Sequence, residues 1–347
     1  MASNKLEVSD FDFDNIKANL KTFLRSQSEF QDYDFEGSGF SILLDTLAYN
    51  THYLGFNANM LANEMYLDSA DIRKNIVSLA KMLGYTPSSV RAPEASIDIL
   101  VGDGTGSSIT MTKGTAFTTT VDGTTFQFIN NADIVTTPVN GVYRFSDVKI
   151  YEGTLVTFRY TVDTTDTDQK FIIPSSLADT STLVVKVQTS SNDTTTNTYT
   201  LATGLATVQS TSKVYFLQEV EDGKFEIYFG DGVIGSALTN GNIIILEYIV
   251  TNVEAANGAS TFTASTTISG FSNLTITTNS NAQGGTTAES KESVRFNAPL
   301  QYSAQNRAVT TSDYESLVQS LYPNALSVSA WGGELSLIHI WRCRRRG

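Results

Sequence analysis

Cysteine is all but missing from this 347-residue chain, with Cys343 its single instance. That leaves no disulfide scaffold, no cysteine-based zinc site and no thiol catalyst in the body of the chain. Histidine is nearly as scarce, limited to His52 and His339, so a histidine metal cluster and a His-dependent catalytic triad both lack raw material. Long apolar runs are also missing. Nothing approaches the roughly 20 residues needed to span a bilayer, and no signal peptide opens the chain, so no membrane partner is expected. Basic residues are in the minority, 23 against 36 acidic, for a net charge of −13. An acidic chain repels phosphate backbones, which argues against a nucleic-acid partner.

The densest run of basic charge sits at the C-terminal end. Leu335 to Gly347 reads Leu-Ser-Leu-Ile-His-Ile-Trp-Arg-Cys-Arg-Arg-Arg-Gly. This stretch reads as translated sequencing-adapter sequence in place of native protein, and it is set aside from fold reasoning. The tail holds four of the 23 basic residues and no acid, which leaves 19 against 36 and a net charge of −17 in residues 1–334. Ser327 to Trp331 alternates like a strand just begun, so the native sequence is expected to continue past Glu334.

What is present divides into three segments of an α+β, multidomain chain. Residues 1–90 form a helical module. Ile16, Leu20, Phe23 and Leu24 share one face of a first helix from about Asp14. Leu43, Leu44, Leu47 and Leu54 mark a second from about Phe40, and Ile72, Ile76, Leu79, Ala80 and Leu83 a third from about Ala70. Gly84 fits the third helix's C-terminal cap, with Pro87 just beyond. The acidic stretch Asp32 to Gly39 connects the first two helices.

Residues 91–283 read as antiparallel β, with strands at 95–101, 156–162, 183–187, 214–220, 225–229 and 243–250. Asp222-Gly223 predicts a hairpin between two of them. No helix-length pattern separates the strands, which argues against parallel βαβ units. The Thr-rich region near 189–200 is the expected break if the β region holds two modules. Residues 284–334 turn helical again and start an α/β segment. Thr286 and Glu289 have capping-box spacing, Pro299 should limit that helix, and Thr310 with Asp313 starts another.

Few residues suggest chemistry. Gly102 to Gly106 lacks the Gly-Lys-Ser/Thr ending of a phosphate loop and reads as a tight turn. Phe229 to Gly235 reads as a glycine-permitted turn after a strand. Asp163, Asp166 and Asp168 lack the spacing and central glycine of a calcium loop and read as a solvated loop. His52 has neither a Cys nor a second His near it in sequence. No catalytic residue, cofactor or metal site is expected, and the chain is read as a non-enzyme. Phe11, Phe13, Ile16, Leu20 and Phe23 give the first helix more apolar surface than a lone three-helix module needs. That face either closes an internal core or binds a neighbouring subunit in a helical bundle.

One passage carries a family resemblance. Gly284-Gly285, Glu289-Ser290, Arg295, Ala298-Pro299, Arg307-Ala308-Val309-Thr310 and Asp313-Tyr314 follow the order of a signature in baseplate J-like proteins of contractile phage tails. Asp34 to Ser38, Leu47 to Thr51, Asn63-Glu64 and Leu83 to Pro87 resemble the N-terminal region of the T-even-type wedge subunits in that family. The resemblance implies a structural virion protein of the tail baseplate, assembled in the host cytoplasm. Its partners would be other wedge proteins and copies of itself, holding a ring around the hub while interfaces rearrange on contraction. The alternative is a β-rich tail-fibre or adhesin-like module that recognises a host-surface glycan.

Overall fold

The computed structural model of the chain describes residues 12–27, 39–202, 208–305, 307–321 and 328–331. Phe11, the connector from Asp32 to Ser38 and the tail 335–347 lie outside them. By contact the chain divides into two compact units, Met1–Tyr85 with Lys291–Tyr302, and Thr86–Ser290 with Ser303–Gly347.

The first unit is helical. Its elements are α1 (Phe13–Arg25), α2 (Gly39–Glu64), α3 (Arg73–Met82) and most of α4 (Lys291–Ala304). Asp12 starts α1 by accepting the Asp14 amide at 3.3 Å. α3 has no cap of its own, because Ile72 occupies that position. Glu64, at the end of α2, substitutes for it: its carboxylate accepts the amides of Asp71 at 2.8 Å and Ile72 at 3.2 Å and the Asn75 side chain at 2.7 Å. That capture holds residues 71–72 outside the helix, which starts at Arg73 and not near Ala70. α3 stops as expected. Gly84 takes φ +77°, the Tyr85 amide donates to Ala80 and the Gly84 amide to Lys81, a Schellman ending.

α4 corrects the reading of its own limits. Thr286 forms no cap but pairs with Arg91 as an isolated bridge, and Glu289 accepts the Ser88 amide at 3.1 Å, so the helix opens at Lys291. Pro299 lies inside it. A proline in a helix interior costs about 3 kcal/mol. Val294 and Ala298 oppose that loss, both 0 % exposed in a core with Ala70, Ile76 and Ala80.

The second unit is built on two large sheets. The strands are β1 (Glu94–Val101), β2 (Ile109–Met111), β3 (Ala116–Val121), β4 (Thr124–Ile129), β5 (Ile134–Thr136), β6 (Tyr143–Glu152), β7 (Thr154–Thr161) and β8 (Phe171–Ile172), then β9 (Ala178–Gln188), β10 (Thr196–Leu201), β11 (Val214–Glu219), β12 (Phe225–Phe229), β13 (Ile243–Val250), β14 (Thr263–Ala264) and β15 (Leu274–Gln283). One sheet runs β14-β3-β4-β6-β1-β15 and the other β7-β13-β9-β10-β11-β12-β8, while β2 and β5 pair separately. Among the described residues the named strands pair antiparallel except for the short parallel contact of β10 with β11, and an isolated bridge between Gly230 and Ala237 is parallel as well. Asp222 and Gly223 adopt φ +60° and +67° and turn β11 into β12, the primed hairpin that the dipeptide calls for. Ile97, Ile99, Phe117, Phe128 and Phe145 fill one core, and Val185, Ile227, Ile244, Leu246 and Tyr248 the other.

The seven-stranded sheet is an excursion from the six-stranded one. The chain leaves at Gly153, between β6 and β7, and returns after β13. Residues 189–195 join β9 to β10, which pair within one sheet. The crossing at Gly153 is tight. Its φ is +122°, and an added Cβ would lie 2.2 Å from the Val250 carbonyl oxygen. Beside it Glu152, 1 % exposed, accepts the Thr251 hydroxyl at 2.6 Å, the Asn252 amide at 2.8 Å and the Asn252 side chain at 2.7 Å. Lys113 and Lys186 both reach one oxygen of Glu247 on β13, at 2.6 and 2.9 Å. Burial works against ionising Glu247, but these two ammonium groups outweigh it and hold its carboxyl below the usual range.

Candidate assembly surface

α2 is the element whose surface is least explained by its own unit. Over its 26 residues it carries two charged side chains, Asp45 and the terminal Glu64. The face turned inward is made of small residues with one leucine: Ser41, Leu44, Ala48 and Gly55. α1 packs along this helix, and Lys17 fixes it through a 2.5 Å ion pair with Asp45. The large side chains point elsewhere. Ile42, Tyr49, Tyr53, Phe56 and Met60 are each 45–63 % exposed, and with Thr46 they keep an alternating spacing of four and three residues. Leu43, Leu47, Leu54 and Leu61, 52–71 % exposed, fill four of the six positions of the same pattern one residue on, with Asn50 and Asn57 in the other two. Such a 3.5-residue period is the seam of a helix that packs against another helix.

The amount of surface is decisive. These nine side chains expose on the order of 1,000 Å² of largely apolar area, more than the ~300–600 Å² of the largest patch on a typical monomer. Each partner in a standard interface buries about 800 Å². No helix among the described residues is long and apolar enough to cross a membrane. Tyr49 and Tyr53 lie with ring centroids 5.8 Å apart, so part of the strip is already packed on itself.

The residues singled out on α1 behave differently from one another. Phe13, Ile16 and Leu20 are half-buried, and Phe23 is 63 % exposed. The motif from Gly284 to Tyr314 splits between two tasks. Gly284 takes φ +86°, and Gly285 exchanges two hydrogen bonds with the Asn257 side chain, at 3.0 and 2.9 Å. A Cβ on Gly285 would lie 2.6 Å from both Pro93 Cγ and the Val253 oxygen, so the strand end needs glycine there. Glu289 fastens the same segment to Ser88, and exposed Ser290 leads into α4. Arg295 donates to the Ala70 carbonyl, beside buried Ala298 and before Pro299. Arg307 bonds Gln305 at 2.9 Å, and Ala308 and Val309 are exposed. Thr310 and Asp313 form the expected reciprocal cap of α5 (Thr311–Leu321), at 2.8 and 3.2 Å, followed by exposed Tyr314. The Thr310 amide is the main reason the Asp313 carboxyl is held below its ordinary pKa.

The remaining candidates lie in turns of the β unit and on α2. Asp163 accepts the Thr165 amide and hydroxyl, and Asp166 the Asp168 amide, so both close turns of their own loop. Asp231 does the same for Val233 and Ile234. Tyr143 donates to the Gly106 carbonyl and closes the turn after β1. His52 is half-buried on α2. Among the described residues no three His, Cys, Asp or Glu side chains converge as a metal cluster would.

Two stretches match described protein families. Residues 12–85, the first three helices, match the baseplate wedge protein gp6-like helical domain. Residues 157–260, which hold most of the seven-stranded sheet, match the third domain of bacteriophage baseplate wedge protein gp6. The chain is similar to phage baseplate wedge proteins. Over 336 residues it is 30% identical to the baseplate wedge protein gp6 of Enterobacteria phage T4, in an alignment that covers 89% of this chain and 50% of that one. The chain thus spans about half the length of that relative. A cryo-EM structure of the anti-feeding prophage baseplate aligns with 89% of this chain and 56% of its own at 11% identity, with a TM-score of 0.30, too low to define a shared fold.

Proposed function

We propose that this chain is a structural subunit of a contractile phage tail baseplate wedge and works by protein–protein contact without catalysis. The observation that carries the reading is the uncovered apolar strip of α2, which lies in the stretch matching the gp6-like helical domain. A helix this apolar is ordinarily buried. Docking it against a neighbouring subunit's helix removes that area from water at about 25 cal/mol per Å², the driving force for a bundle. The sequence order from Gly284 to Tyr314 supports the finer reading of a baseplate J-like member. Its place in the virion is the tail baseplate, reached after assembly in the host cytoplasm with other wedge proteins and further copies of itself.

The test is co-purification of this chain with the wedge proteins encoded beside it, in its original form and as the Tyr53→Glu, Leu54→Glu double variant. The complex should form with the first and fail with the second, while far-UV circular dichroism shows the same helix content. A double variant that assembles as well as the original would remove α2 from the interface. Failure of the original chain to join any wedge protein would remove the wedge reading itself.

A further inference from the structure

The chain contains three Asn-Gly pairs, at 140–141, 240–241 and 257–258, the dipeptide most prone to losing its side-chain amide. The reaction needs two freedoms. The glycine nitrogen must be free to attack, and the asparagine Cγ must be free to swing towards it. Two of the pairs have neither. The Gly241 amide donates to the Val162 carbonyl at 2.9 Å, and Asn240 Oδ1 accepts the Thr164 amide at 3.2 Å. The Gly258 amide donates to the Ala282 carbonyl at 2.7 Å, and both polar atoms of the Asn257 side chain bond Gly285.

The third pair is different. Asn140 and Gly141 form the exposed tip of a two-residue hairpin, with φ +53° and +80°. Only the mutual bonds of Val139 and Val142, at 2.9 and 3.1 Å, close it. Neither the Asn140 side chain nor the Gly141 amide hydrogen-bonds any described residue. Nothing lies within 4 Å of where a Gly141 Cβ would stand, so the tip has room to turn. Opening it breaks two solvent-exposed backbone bonds and no core contact, the cheap end of local unfolding.

We propose that Asn140 is a site of spontaneous deamidation in the folded protein, and that the fold protects Asn240 and Asn257. Solvent base takes the Gly141 amide proton, and the nitrogen attacks Asn140 Cγ. The Cγ–Nδ2 bond breaks and ammonia leaves with a proton from water, giving a succinimide. Water then opens the ring. Cleavage of the bond from Cγ to the Gly141 nitrogen yields aspartate. Cleavage at the backbone carbonyl yields isoaspartate, which lengthens the main chain at the tip. Either product places a carboxylate between Val139 and Val142, which are 71 % and 48 % exposed.

The experiment is to hold the folded chain in mildly alkaline buffer, sample it over time, and quantify the three Asn-Gly peptides by mass spectrometry with isoaspartyl methylation as a second readout. The Asn140 peptide should convert about tenfold faster than either of the others, the factor that about 1.4 kcal/mol of additional opening cost imposes. In denaturant the three rates should converge within a few-fold. Gly141→Ala should slow the Asn140 site selectively in the denatured chain. Equal rates in the folded protein would overturn the proposal, as would an inert Asn140 in a fold whose denatured chain converts at all three sites.

Discussion

Glu152→Ala is the substitution that most directly tests how the two sheets are joined. The carboxylate is 1 % exposed and accepts three hydrogen bonds, two from Asn252 and one from Thr251, at the point where β13 hands the chain back. Hydrogen bonds to a charged group contribute about 1.5–3 kcal/mol each, and removing the acceptor strands buried donors besides. Water filling the gap recovers part of that, which leaves an expected loss of about 3–5 kcal/mol. Glu152→Gln keeps the volume and one acceptor oxygen but sets its amide against donors, so a loss of about 1–2 kcal/mol is expected. Urea unfolding, followed by tyrosine fluorescence and far-UV circular dichroism, reads both through the shift in midpoint at constant slope. A Glu152→Ala loss below about 0.5 kcal/mol would refute the argument, because it would mean the three donors lose nothing without their acceptor.

Gly285→Ala sets a Cβ 2.6 Å from Pro93 Cγ and the Val253 oxygen, so a destabilisation of about 2–3 kcal/mol is expected in the same unfolding assay. Pro299→Ala should stabilise the helical unit by about 1 kcal/mol, since it restores an N–H inside α4; a lower thermal midpoint would contradict it. For Glu64, burial opposes ionisation, but Asn75 and the amides of Asp71 and Ile72 outweigh it and depress the folded pKa. A depressed carboxyl contributes stability that is present above its unfolded value, about 4.3, and lost as pH falls through the folded one. The Glu64→Gln variant should therefore lose part of the acid-limb pH dependence of α3 amide protection in hydrogen exchange, and an unchanged limb would count against the cap.

The fold was legible wherever a local signal decided it. Ile76, Leu79, Ala80 and Leu83 followed by Gly84 describe α3 and its Schellman end, and Asp222-Gly223 describes the β11–β12 turn, because both depend on backbone rules within a few residues. β15 pairs with β1 across about 180 residues, and nothing local marks so distant a partner. Its sequence, Leu-Thr-Ile-Thr-Thr-Asn-Ser-Asn-Ala-Gln, has two strong apolar residues, so hydrophobic alternation is faint. Pro299 shows the opposite failure. A local rule says the helix should end there, and the burial of Val294 and Ala298 overrules it.

The candidate surface was partly legible, and the reason lies in which apolar residues a helix keeps. On α1 the period is clear: Leu24 is buried, Phe13, Ile16 and Leu20 are half-buried and only Phe23 of the five is exposed, as an amphipathic helix should be. On α2 the leucine pattern of Leu43, Leu44, Leu47 and Leu54 is equally visible, yet only Leu44 is buried. The signal that separates the two helices is the company those leucines keep. Ser41, Ala48 and Gly55 repeat at seven-residue spacing on the inward face, and small residues there let a neighbouring backbone approach without needing large side chains to fill the gap. A helix that closes its own unit with Ser, Ala, Gly and the single Leu44 has its tyrosines, its other leucines and Phe56 left over. With two charges in 26 residues it has little charge to hold them in water. Apolar content alone could not say which face was spare; the placement of the small residues could.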